Sequence, residues 1–276
     1  MKKRSYIMEN TTKNYCRDLV REHDKDRFLL GLIGNKDQRD ALWALFAFHH
    51  EIAKTREIVS DTTIGLIRLQ WWRDALDKIY ADEKPPKNVI VENLRDAIKA
   101  YDLPRADFDD LLYGREFDLE DAAPADIDGL VKYIDHVSVP LTKLCLRILG
   151  EDFCENARDV SRAFSLAGLL RAIPFYASHH RCYLPQNLLE HHDIDPEMIY
   201  RNGPVTGLKL AVQDIATHGH AYNQDTQVNS RYLKVMKYMT RYYLKRLYRM
   251  EYDVFDARLN HKTPLFYLWF IFASRF

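Results

Sequence analysis

Apolar residues return every three or four positions along almost the whole chain, and this helical period restricts the fold more than any single motif does. Residues 37–57 place Leu42, Leu45, His49 and Ile52 on one face. Residues 62–82 repeat the pattern with Ile64, Ile67, Trp71 and Leu76, and Thr62 or Asp61 is suited to cap that helix. Further helices are expected at 89–101, 105–120, 126–149, 153–173 and 206–250. Breaks are expected at EKPPKN, AAPAD and RNGP, where Pro and Gly interrupt the period. Strand-like alternation bounded by hairpin turns is missing. The expectation is an all-α protein, one domain over 1–276, with residues 1–10 flexible.

Charge and composition narrow the function classes. Forty Lys and Arg balance forty Asp and Glu, so no net field draws the chain to polyanions, and nucleic acid is not expected as a partner. Cys16, Cys145, Cys154 and Cys182 form no CxxC pair and sit in amphipathic segments, which suits reduced, mostly buried thiols in a cytoplasmic setting. The opening MKKRSYIMENTTKNY has no apolar core of a secretory signal. No window reaches the ~18 apolar residues of a spanning helix. The last stretch, TPLFYLWFIFASRF, is apolar but short: a packed terminal helix is the plain reading, and contact with a membrane surface is the other.

Chemistry-bearing groups are sparse. An i, i+4 pair of acids on one helix face would hold Mg²⁺ against a diphosphate, because Mg²⁺ takes oxygen ligands. In FAFHHEIAKTREIV that pair is absent, since Glu51 and Glu57 lie six apart with Lys54 and Arg56 between them. In LRAIPFYASHHRCYLP, Pro174 is expected to bend or stop its helix. Arg171 and Arg181 are donors suited to phosphate or carboxylate, although an arginine is more often tied to structural acids and carbonyls. The pairs His49-His50, His179-His180 and His191-His192 point about 100° apart on a helix and so suit surface or core better than a shared metal. No Ser/His/Asp motif, P-loop or GxGxxG occurs.

These two stretches carry a family resemblance. FAFHHEIAKTRE sits where squalene and phytoene synthases have a Tyr-Ala-Phe-Cys-Arg run followed by an Asp-rich motif. LLRAIPFYASHHRCYLP is similar to their second acid motif, which ends in Arg-x-Tyr-Leu-Pro. The likeness covers about residues 15–265 and implies the isoprenoid-synthase fold, a helical bundle around a central cavity. Within that superfamily, the TIGLIRLQWW and LLRAIP segments look like the branch containing mitochondrial complex I assembly factors.

What the resemblance implies about chemistry turns on its departures. The first acid pair of the family falls on Ala53 and Glu57, with Lys54 in place of a further Asp. The second falls on Ala172 and Tyr176, with Phe175 in place of a Glu, and the amide ahead of it falls on Gly168. The resemblance therefore implies a non-catalytic member with no metal and no cofactor. Lys54, Arg171, Arg181 and Tyr183 remain to meet an anion or lipid head group. Implied partners are NADH dehydrogenase (complex I) subunits or assembly factors, with an isoprenoid or lipid ligand. The implied location is cytoplasmic and peripheral on the inner membrane, on the matrix side in a mitochondrion. Two alternatives stay open. One is an active, Mg²⁺-dependent prenyltransferase using Glu57, Glu51 or Asp118; the other is an isoprenoid or quinone carrier.

Overall fold

The computed structural model describes residues 14–120, 122–224 and 227–273. The expectation for residues 1–10 lies outside them. Among the described residues the regular structure is helical and there are no strands. In chain order the helices are α1 (14–23), α2 (Lys25–Gly31), α3 (Lys36–Ala53), α4 (Thr55–Ile58), α5 (Thr62–Tyr80), α6 (Val89–Tyr101) and α7 (Arg105–Phe117). Then come α8 (Ile127–Val137), α9 (Val139–Leu149), α10 (Glu155–Ser178), α11 (Gln186–His191) and α12 (Pro196–Asn202). The last are α13 (Leu208–Gln224), α14 (Arg231–Arg249), a 3-10 turn (Ala257–Asn260) and α15 (Pro264–Ala273). Contacts sort the chain into two compact units. The first runs to Glu120 and takes Pro140–Phe153; the second takes Asp121–Val139 and Cys154 onward.

In the first unit α3 is the central element. Asn35 caps it by accepting from the amides of Asp37 and Gln38, and Gln38 reciprocates to the Asn35 amide. The expected face is buried: Leu42, Leu45, His49 and Ile52 all lie inside. Phe48 meets Trp72 and Phe108 edge-on at 5.2 and 5.5 Å, tying α3 to α5 and α7. Burying each such ring is worth about 2–3 kcal/mol. Asp61, rather than Thr62, caps α5 through the Ile64 amide at 3.1 Å. Thr62 instead donates its hydroxyl to the Leu119 carbonyl.

The phase of α5 differs from the expectation. Ile64, Ile67 and Trp71 are exposed, whereas Leu69, Trp72, Leu76 and Ile79 are buried. The helix carries two apolar stripes, and Gly65 lies on the packed side, close to Leu119. A Cβ at Gly65 would stand 2.6 Å from a Leu119 methyl, so a larger residue here would make that side chain move.

In the second unit α10 packs on α13, α14 and α8. It does not stop at Pro174 but runs on to Ser178. Proline removes one amide donor, while Ile173 and Ala177, four residues apart, keep that face buried on both sides of it. Two long expected helices are divided. Residues 126–149 break at Ser138, two positions before Pro140, where the Ser138 hydroxyl joins those of Ser161 and Ser165. Residues 206–250 separate into α13 and α14, the second capped by the Ser230 hydroxyl.

All four cysteines are free thiols, and Cys154 is exposed at the cap of α10. Burial, with a smaller push from Asp40, raises Cys16 to about 12, and burial also raises Cys182. Brief treatment of the native protein with a thiol reagent should therefore modify the exposed Cys154 well before Cys16. A thiol raised three units is about a thousandfold poorer in thiolate. Peptide mass spectrometry that finds Cys16 labelled ahead of Cys154 would contradict this packing.

Candidate functional site

The first motif lies at the end of α3. Ala53 is its last helical residue, and Lys54, at φ −78° and ψ 0°, closes the turn before α4 begins. The helix expected to run through residue 57 is therefore interrupted between Ala53 and Glu57. Lys54 does not stand open to an anion, because its ammonium pairs with the Glu51 carboxylate. The same carboxylate receives Arg68 from α5 at 2.7 Å. Glu51 thus joins two cations, while Glu57 is exposed. Arg56 is turned to the carbonyls of Val59 and Ser60 at 2.9 Å.

The histidines beside this motif diverge as the helical angle requires. His50 stacks on His23 at 4.8 Å, and burial, then the charge of Lys54, holds its pKa below the usual imidazole value. His49 points into the interior, where its Nε2 meets an Arg115 nitrogen at 3.1 Å. Arg115 in turn donates to Asp118 at 3.0 Å, and all three side chains are buried. Asp118, a candidate acid, is therefore part of a buried ion pair.

The second motif lies in the other unit, along the end of α10. Arg171 lays its guanidinium over the Tyr243 ring at 3.5 Å and donates to Asn260 at 3.1 Å. Ala172, expected at the position of a family acid, follows and offers only a methyl group. At Gly168 a Cβ would meet no atom within 4 Å. Tyr176 belongs to an aromatic cluster: its ring lies 4.6 Å from Tyr183, which stacks on Tyr133 at 5.8 Å. Tyr176, Arg181, Tyr183 and Tyr200 line a void of about 10 Å³. That is the room of about one water. The chain thus brings Arg181, Tyr183 and Tyr176 together, while Arg171 is engaged elsewhere in the same unit.

The other histidines are dispersed. His179 Nδ1 faces the Phe175 carbonyl at 2.9 Å, and His180 lies against Tyr200. His192 meets Asp214 at 2.8 Å. Among the described residues no three His, Cys, Asp or Glu side chains are grouped to hold one ion. A far roomier cleft, about 1120 Å³, runs along α14 beside Lys234, Lys237, Arg241 and Lys245. The sequence reading passed over these residues, although the signal was present: α14 carries seven lysines and arginines and no acid.

Comparison with known proteins agrees with this architecture. A dehydrosqualene synthase crystal structure superposes with a TM-score of 0.79, at 16% identity, covering 98% of this chain and 97% of that one. That likeness establishes the isoprenoid-synthase fold. The Bos taurus protein named NADH dehydrogenase (ubiquinone) complex I, assembly factor 6 is 29% identical over 264 residues, 92% of this chain and 79% of its own length. A presqualene diphosphate synthase from Rhodopseudomonas palustris is 26% identical over 218 residues, 75% of this chain and 77% of its own. The squalene/phytoene synthase family model matches residues 20–264, through both compact units and both motifs, and the chain belongs to that family.

Proposed function

We propose that this chain serves the assembly of NADH dehydrogenase (complex I) and does not transfer prenyl groups. The observation that carries the reading is what stands at the four motif positions: two methyl groups at Ala53 and Ala172, a phenol in a ring cluster at Tyr176, and one exposed carboxylate at Glu57. A Mg²⁺ ion takes six oxygens in near-octahedral order, and this donor set does not fit it. Glu51 and Asp118, the acids nearest to replacing the lost ones, are each held by arginine. A metal cluster lowers the barrier to diphosphate departure by several kcal/mol. Each 1.36 kcal/mol is about tenfold in rate, so without the cluster little of a synthase remains. The assembly-factor relatives supply the positive side of the proposal, since they match this chain over nine-tenths of its length. The place of action is the membrane face where complex I is built. No helix among the described residues is long and apolar enough to cross that membrane.

Deleting the gene in its own cell should lower NADH–quinone oxidoreductase activity and the amount of complete complex I on native gels. Re-expression should restore both. The purified chain should yield no presqualene diphosphate, squalene or phytoene from farnesyl or geranylgeranyl diphosphate with Mg²⁺. Normal complex I in the deletion strain, together with product from the purified chain, would overturn the proposal.

A further inference from the structure

The cations of α14 are ordered. At about 100° per residue, Lys234, Lys237, Arg241 and Lys245 fall within an arc of about 80°. Val235, Met236, Met239 and Tyr243 occupy the opposite, buried side. The basic stripe forms one wall of the 1120 Å³ cleft, and no acidic side chain among the described residues lines it. Lys234, Arg241 and Lys245 are exposed. In a chain whose total charge is zero, Lys234, Arg241 and Lys245 are a local concentration of cations in a cleft that no described acid lines.

The apolar α15 is fixed beside this stripe. Trp269 of α15 lines the cleft and stacks on Tyr238 of α14, the ring planes 14° apart. Phe266 and Phe270 turn inward, leaving Leu265, Leu268 and Ile271 at 74%, 64% and 47% exposure along the outer edge. A second open cleft, about 430 Å³, adjoins the start of α15 and is lined by Arg246, Arg249, His261 and Lys262, with Arg258 paired to Asp256. An aliphatic edge bordered by tyrosine and tryptophan, with cations on both flanks, is the order of groups met on entering a bilayer: phosphate, interface, acyl chain.

We infer that the α14–α15 face docks on an anionic phospholipid surface. Lipid phosphodiesters sit in the α14 cleft against Lys234, Arg241 and Lys245, while Leu265, Leu268 and Ile271 enter the acyl boundary. Charge selects the occupant. A neutral apolar partner would bury the aliphatic edge but offer nothing to Lys234, Arg241 and Lys245, whereas an anionic bilayer meets both. The inference deepens the membrane placement proposed above, but it is tested on purified protein without complex I, so either can fail alone.

The test is co-sedimentation of the whole chain with vesicles. Binding is expected to phosphatidylcholine vesicles containing phosphatidylglycerol, to be much weaker to phosphatidylcholine alone, and to weaken as salt rises. Each cation contributes about fivefold near an anionic surface, so Lys234→Gln/Arg241→Gln/Lys245→Gln should lose about 100-fold in affinity. Leu265→Gln/Leu268→Gln should lose binding even at low salt. All five positions are exposed, so both variants should melt like the wild type. Wild-type affinity in the triple variant, or equal binding to neutral vesicles, would overturn the inference. So would full displacement by soluble glycerol phosphate, which would make the cleft a site for a free phosphate. If the melting temperature of the triple variant falls, Lys234→Arg/Lys245→Arg decides: retained binding supports a charge role and lost binding refutes it.

Discussion

Asp118→Ala is expected to destabilise the protein by about 3 kcal/mol, because it breaks a buried ion pair with Arg115. Arg115 and Asp118 are each at least nine-tenths buried, and their nitrogen–oxygen distance is 3.0 Å. His49 Nε2 stands 3.1 Å from the same guanidinium, so the loss disturbs a buried network of three side chains. Urea unfolding measures the effect as a lower midpoint at unchanged slope. Arg115→Met/Asp118→Leu should recover most of the loss, since an apolar pair of similar volume does not need the ion pair. Glu57→Ala, at an exposed position, should shift stability by about 0.5 kcal/mol or less. The comparison separates two roles for Asp118. A displaced metal-binding acid would be dispensable for folding, so a small effect of Asp118→Ala would return it to the list of catalytic candidates.

Ala53→Asp/Ala172→Asp/Tyr176→Asp is expected to give no synthase. Product formation from farnesyl diphosphate should stay at the wild-type background, many tenfold steps below a working enzyme. The acids would add metal oxygens, but not in the geometry that Mg²⁺ requires. α3 ends at Ala53, so an Asp there and Glu57 do not share an unbroken helix face. Lys54 follows immediately, already paired with Glu51, and would be drawn to the new carboxylate instead. At position 176 the substitution removes a ring from the cluster with Tyr183 and puts a charge beside it. That exchange should cost about 2 kcal/mol or more in stability. A misplacement of about 1 Å in a reacting group can by itself cost about 100-fold. Gas chromatography of the extracted products decides the matter. Abundant squalene-like hydrocarbon from the triple variant would mean that only ligands had been lost and the rest of the catalytic frame kept.

The sequence by itself determined the helical class. It also determined the interior face of α3, because that depends on local order along the chain. A 3.6-residue period marks a buried stripe wherever a helix has one apolar side, as α3 does with Leu42, Leu45, His49 and Ile52. The family resemblance is what points to the alanines at 53 and 172 and the tyrosine at 176 as the motif positions.

Tertiary structure decided what local order leaves degenerate. On α5 two apolar stripes compete, and packing against the rest of its unit buries the one containing Leu69 and Trp72. Pro174 reads as a stop, yet burial of Ile173 and Ala177 outweighs one lost hydrogen bond and carries α10 to Ser178. Charges show the same limit. Lys54, Glu51, Arg171 and Asp118 look equally available in a string of letters. Whether a charge meets a ligand or a neighbour depends on partners 17 residues away for Arg68 and Glu51, and 89 for Arg171 and Asn260. No local pattern encodes that distance. Only the packed chain brings those groups within hydrogen-bonding reach, and only it shows that Lys234, Arg241 and Lys245 line a cleft with no described acid while Leu265 and Leu268 of α15 are exposed.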